Sequence, residues 1–364
     1  MKKVITFIFL ITFLNLFAEE VKEEIIAKPT QLPGMRGVVP NLPDISVVGN
    51  FYYKLSTDKE DETKDKLVVE EIETAFQGYI YPNIRADVFL AMHKHDEHVE
   101  AEICEAKVYF QKLIHNLSLE VGKIRINFGK LNKIHQHHRS FYDQPLVLTN
   151  FFGEHGLVAE GVNFSYVLPL PLFLQIDLGA WNILHHYHHD ENELRHLEFS
   201  LSDKTYTNKI WLSIPIKTSE LEIGLNSLLS NGPHYKEHKD EVKIFGIDLT
   251  LRSFFTKNRK FLFTTEVYKL IRDLEDEKIE KFSYFVFTKY KFNKYDSISL
   301  RYDDAENVVE TLRTNSLSAI YTRNLTETTA LRTQYTYFFD NPKDVHQFVV
   351  QIVFGMGPHS HLLE

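Results

Sequence analysis

The sequence predicts an all-β chain, a transmembrane antiparallel β-barrel of about sixteen strands. Three observations lead there: an export-type N-terminus, segments of about ten residues that alternate in polarity, and connections that alternate between short and long. Lys2 and Lys3 precede an apolar stretch from Val4 to Phe17, and Ala18 offers a small residue for cleavage. This is the order of a signal peptide, so residues 1–18 are expected to be removed on export. The stretch falls short of the roughly 18–20 residues that a spanning helix needs. Elsewhere no apolar run is long enough for a helix to cross a bilayer.

Composition agrees with a barrel. Phe occurs 28 times and Tyr 18 times, yet charged residues make up 25% of the chain. Strands that face lipid on one side and water on the other need that mixture. The single cysteine, Cys104, excludes an internal disulfide, so strand closure must hold the fold. The formal charge of −9 becomes −11 once Lys2 and Lys3 leave with the signal segment. Nucleic acid is therefore not an expected partner, because such proteins carry a basic stripe.

Residues 19–43 are polar and hold Pro29, Pro33, Pro40 and Pro43, which reads as an extended periplasmic lead-in. The barrel is expected over 44–355. Leu172, Leu174, Ile176, Leu178 and Ala180 alternate with Phe173, Gln175, Asp177, Gly179 and Trp181. Leu221, Ile223 and Leu225 alternate with Glu222, Gly224 and Asn226, and Ile298, Leu300 and Tyr302 with Ser299, Arg301 and Asp303. A strand gathers each polar set on one face, whereas a helix would scatter it. Gly122 is read as a bulge, because the apolar parity changes from Leu117, Leu119 and Val121 to Ile124, Ile126 and Phe128.

Short turns are expected at 82–85, 115–116, 169–171, 217–219, 255–260, 293–296 and 324–327. Longer connections fall at 57–66, 94–98, 129–158, 184–204, 230–240, 270–280, 304–310 and 340–344. Strict interleaving of the two sets gives the strand number and puts both chain ends on the short-turn, periplasmic side. The long connections are then extracellular loops. A closing strand ends near Phe354, and 356–364 form a His-containing tail.

Histidine concentrates in the longer connections. His93 and His95 flank the second, His135, His137, His138 and His155 lie in the third, and His185, His186, His188 and His189 lie in the fourth. Imidazole favours zinc, copper and nickel, so these residues are candidate metal ligands. The cation would be Zn²⁺ or a relative bound at surface loops, and no cofactor is required. The third loop also carries Phe141, Tyr142, Phe151 and Phe152, an apolar load that water would not solvate well. Folding into the lumen would bury it and build a constriction that includes Tyr142, Asp143, Phe151 and Glu154; the alternative is an external flap packed on neighbouring loops.

Lys107, Arg125, Arg252, Arg301 and Arg332 are read as lumenal, together with Glu71, Glu73, Glu105, Glu120, Asp177, Glu222, Asp248 and Glu266. No single-sign ladder stands out, so no ion selectivity follows from the sequence. Nucleophile-elbow, zinc-protease and phosphate-loop patterns are absent, so an enzyme is not expected.

Three stretches resemble a known family: Pro43–Val47, Val121–Lys130 running on to Gly161, and Phe354–His361. They are similar to sixteen-strand porins of the phosphate-selective type, and closer to the zinc-regulated outer-membrane branch. The resemblance implies a trimer-prone porin with a link to metal supply. The inward lysine ladder of phosphate selectivity is missing here. The expected function is passive diffusion of small solutes or ions across the outer membrane. The alternative is a non-conducting outer-membrane barrel that binds metal or a partner through its His-rich loops.

Overall fold

The computed structural model describes residues 42–95, 98–183, 201, 204–232, 239–275, 277–308, 312–339 and 344–358. The expected signal segment 1–18, nearly all of the lead-in, His185, His186, His188, His189 and the end of the tail lie outside the described residues.

Sixteen strands form one closed antiparallel sheet. They are β1 (Asp44–Ser56), β2 (Lys66–Tyr81), β3 (Ile84–His95), β4 (His98–Ile114), β5 (Leu117–Arg125), β6 (Val158–Val167), β7 (Phe173–Asn182) and β8 (Thr205–Ile216), followed by β9 (Ser219–Asn231), β10 (Asp240–Thr256), β11 (Arg259–Leu274), β12 (Lys278–Lys291), β13 (Asp296–Glu306), β14 (Arg313–Asn324), β15 (Thr329–Phe339) and β16 (Val345–Met356). Every strand pairs with its sequence neighbours, and β1 closes the ring on β16, with Val47 opposite Met356 and Ser56 opposite Gln347. Closure satisfies the backbone groups that an open edge would expose to lipid.

The period-2 pattern decides which face looks out. Leu178, Leu225, Leu300, Phe348 and Ile352 are exposed on the outside. Their strand neighbours Asp177, Glu222, Arg301 and Gln351 are buried inside. The tightest turns place Asn83, Asn116 and Lys217 at positive φ, which twists each hairpin with its strands.

Two expected long loops are short. β3 and β4 are separated by residues 96–97 alone, and β11 and β12 by 275–277. In the second hairpin polar residues continue the ladder instead of ending it. Lys269 pairs with Glu280 across the strands at 2.7 Å, and Arg272 pairs with Asp240 on β10 at 2.9 Å.

Gly122 is not a register bulge. It lies opposite Lys107 on one side and Gly161 on the other with no register shift. The alternation never slips, because Ile124 and Ile126 keep the inward parity of Glu120 and are buried. What changes is the neighbour, because Ile124 and Ile126 join the buried apolar cluster of the inserted loop.

Register shifts occur elsewhere. One falls between Phe89 and Leu90 against Glu105 and Ile103, leaving Cys104 as the extra residue of β4. Another falls between Asn50 and Phe51 against Glu71 and Val69, with Glu70 extra on β2. A bulge re-aims side chains locally. Here Cys104 and Glu105 are both buried, so the thiol turns inward beside the carboxylate.

Candidate functional site: a loop folded through the lumen

Residues 126–157 leave β5 and return to β6 after a long passage inside the barrel. A 3₁₀ turn at Gln136–His138 and one short helix, α1 (Leu146–Phe152), are its only regular elements among the described residues. Asn132 ties the base. Its amide donates to the carbonyls of Ile126 and Leu157, and its oxygen accepts from Leu157 N–H, each at 2.8 Å. The loop then turns at Gly129, at φ +67°, where a Cβ would run into Tyr268 and Glu266.

The polar contacts go round the wall. Asn127 donates to Asp177 at 2.7 Å, and Gly129 N–H donates to Asn226 at 3.0 Å. Backbone N–H groups of Lys130 and Leu131 donate to the Glu266 carboxylate at 3.0 and 2.8 Å. Lys133 reaches Glu120 at 3.3 Å. Farther along, Tyr142 O–H donates to Gln347 at 3.2 Å. Asp143 accepts two bonds from Arg301, at 3.0 and 2.6 Å, and one from Gln334 at 2.7 Å. Lys289 donates to Ser140 at 2.5 Å. Walls on opposite sides of the barrel are thus joined through one segment.

The apolar side chains form a dry core against the β9–β12 wall. Phe128, Leu131, Phe141, Leu148 and Phe151 pack with inward Leu228, Ile244, Tyr268, Phe285 and Phe287. Phe128 stacks on Tyr268 with ring centres 5.5 Å apart, and Phe141 meets Phe287 edge-on at 5.3 Å. Phe151 therefore belongs to this core and not to a wet constriction, because it is buried in the apolar cluster beside Tyr268. Glu154 and His155 are also not drawn into the cluster. Both are exposed near the loop's exit, where the His155 carbonyl accepts from Arg125 at 2.7 Å.

His135 and His137 are buried in the lumen beside β2 and β4. His135 Nδ1 stands 2.7 Å from Glu73 and Nε2 stands 2.7 Å from Glu105. Burial opposes its charge, but the two carboxylates more than offset that and hold the imidazole above its ordinary pKa. His137 Nδ1 lies 3.2 Å from Glu71. The half-buried His138 ring lies 4.5 Å from the His137 ring. Burial pushes the Tyr142 hydroxyl up, so it stays protonated and can donate. His93 and His95 fall on β3, opposite Glu100 and His98.

The sequence reading places Glu71, Glu73 and Glu105 inside but does not join them to the histidines. Asn132 and the inward turn of Cys104 escape it altogether. The adjacent acids Glu70-Glu71 on β2, which break alternation, are the one local signal of a bulge there.

No family model matches the chain. An uncharacterized protein of Aquifex aeolicus is 27% identical over 300 residues, covering 70% of this chain. The chain spans 62% of that relative's length. Among solved structures, the anion-selective porin of Comamonas acidovorans superposes with a TM-score of 0.58 at 11% identity, over 86% of this chain and 98% of that one. The outer-membrane channel DcaP of Acinetobacter baumannii gives 0.56 at 12% identity, over 87% and 96%. The trimer form of OmpT from Vibrio cholerae gives 0.56 at 8% identity, over 87% and 100%. The fold is that of sixteen-strand outer-membrane porins.

Proposed function

We propose that the chain is an outer-membrane channel for passive diffusion of small solutes, narrowed by the inserted loop. The observation that carries this reading is the loop itself, folded in from the long-connection side and tied to opposite walls. Charged side chains of the wall and of the loop itself keep partial solvent contact: Arg85, Lys107, Glu120, Lys130, Lys133 and Arg252. Each lies against a group of opposite sign. Lys107 meets Glu105, Lys133 meets Glu120 and Lys130 meets Glu222. Paired charges cancel in the far field, so the pore should discriminate weakly between anions and cations. The outer-membrane location follows from the lipid-facing band on a closed sheet. A homotrimer belongs to the same reading, after the trimeric porin of this shape. Kinship with the zinc-regulated branch rests on the sequence stretches alone.

The test is planar-bilayer recording of the folded, purified chain. Discrete conductance steps with a reversal potential near zero in a salt gradient are expected. A silent bilayer would select the rival reading, a barrel that binds metal or a partner without conducting. The dry core between the loop and β9–β12 is the feature that favours that rival.

A further inference from the structure

The cluster of Glu73, His135 and His137 has a geometry that loop latching alone does not require. One donor atom from each lies within 4.8 Å of the others, and all three residues are buried. His137 Nδ1 lies 3.2 Å from Glu71, so with the proton there its Nε2 lone pair faces away from Glu71. That Nε2 stands 3.8 Å from Glu73 Oε1, too long for a hydrogen bond. Ligands at bonds of about 2.0–2.2 Å around one tetrahedral ion sit roughly 3.3–3.6 Å apart, close to that separation. His135 shares one half of this pattern, with Nε2 held by Glu105 at 2.7 Å; its Nδ1 hydrogen-bonds Glu73 at 2.7 Å, a contact that an ion between them would replace. A histidine whose second nitrogen is fixed by a carboxylate is the usual arrangement around a metal ion. Cys104 Sγ lies within the same 4.8 Å limit of Glu71 and Glu73, so a soft donor adjoins the set. Both register shifts described above fall at these residues, and bulges gather where a strand must present groups to a site.

We propose that Glu73, His135 and His137 bind a divalent transition-metal ion of the zinc, cobalt or nickel class inside the lumen, joining the inserted loop to β2. Two imidazoles and one carboxylate suit that class and not calcium or magnesium, which take oxygen ligands. Glu71 and Glu105 act as positioning residues through the imidazoles. Binding displaces the proton shared between His135 and Glu73, as metal binding at histidine does generally. The site takes none of its residues from the His-rich connection 184–204 and does not depend on whether the barrel conducts.

The experiment uses the full chain, folded in detergent, stripped with a chelator and then titrated with Zn²⁺ against a chromophoric competitor. Co²⁺ absorption reports the ligand set in parallel. The background variant carries His185→Ala, His186→Ala, His188→Ala and His189→Ala, which removes the strongest competing cluster. In this background one zinc equivalent is expected to survive. Adding His137→Ala or Glu73→Gln should weaken it about tenfold or more, and Glu71→Gln, which alters only the group behind His137, should weaken it by at least about tenfold. Heat-modifiable migration on gels checks that each barrel is folded, and Glu71→Gln serves if the other variants are not. No retained zinc in the background, or equal retention in all folded variants, would overturn the proposal.

Discussion

Arg301 on β13 grips the Asp143 carboxylate with two nitrogens, at 3.0 and 2.6 Å, while its Nε donates to Asp303 at 2.6 Å. The guanidinium is fully buried and also lies over the Phe141 ring at 4.7 Å. This pair fixes the far end of the inserted loop, 158 residues away in sequence from its partner.

Asp143→Ala removes one side of that grip and strands a buried cation with Asp303 alone. A loss of about 3 kcal/mol is expected in denaturant unfolding, with larger and noisier conductance steps as the loop lifts. Asp143→Leu combined with Arg301→Met and Asp303→Leu should recover much of the stability, since replacing the whole charged triad leaves no buried charge without a partner. If the triple variant is no more stable than Asp143→Ala, the ion pair is not what holds the loop.

Asn132 is fully buried and satisfies three backbone groups at the loop base. Asn132→Ala takes the partner from the Leu157 N–H, while the Ile126 and Leu157 carbonyls keep one bond each from Phe128 and Ile126 N–H, at a cost of about 1–3 kcal/mol. Limited proteolysis should cut within 126–157 of the variant while the barrel still migrates as folded. Wild type should resist under the same conditions.

Phe141 is fully buried between loop and wall. Phe141→Ala should lower unfolding stability by about 3–5 kcal/mol, because the rigid sheet cannot collapse onto the cavity. Phe141→Leu should recover more than half of that loss in the same assay.

Asp61 sits in the β1–β2 hairpin, outside the sheet. Lys54 lies 2.8 Å away, and Thr63 donates to it from N–H and O–H at 3.0 and 2.7 Å. Burial raises its pKa, but these partners prevail and hold the carboxyl below its usual value. A depressed folded pKa contributes stability above the unfolded value of about 4, and that contribution disappears as pH falls through the folded value. Amide protection factors over 57–65 should therefore drop in acid in wild type. In Asp61→Asn they should be lower at neutral pH and show no such drop.

Strand number and lumenal parity were readable because period 2 is local. Asp177, Glu222, Asp248, Glu266 and Arg301 needed only their own neighbours to be placed inside. Ile124, Ile126 and Phe128 were harder. Apolar side chains on the inward face look like a change of parity unless the apolar loop that covers them is known. The hairpins at 96–97 and 275–277 look longer in the sequence than they are, because charged residues read as loop even where cross-strand pairing keeps them in a ladder. The histidine cluster shows the limit most clearly. His135 and Glu73 are 62 residues apart, and their meeting depends on where the loop lies inside a closed ring. No local pattern encodes that distance.

The passage of 126–157 across the barrel also imposes an order on how the molecule can form. Its near anchors, on β2 and β4, are synthesised before it, but Arg301, Gln334 and Gln347 come long after. Contacts so distant along the chain are slow to form, since the intervening segment must be arranged first. The segment must wait, unattached at one end, until the last hairpin joins the first strand. A chain ending before β15 should thus lack not only the seam but also the docking points on Gln334 and Gln347, so Tyr142 should hang loose even though Phe141 and Phe151 already have the β9–β12 wall to pack on.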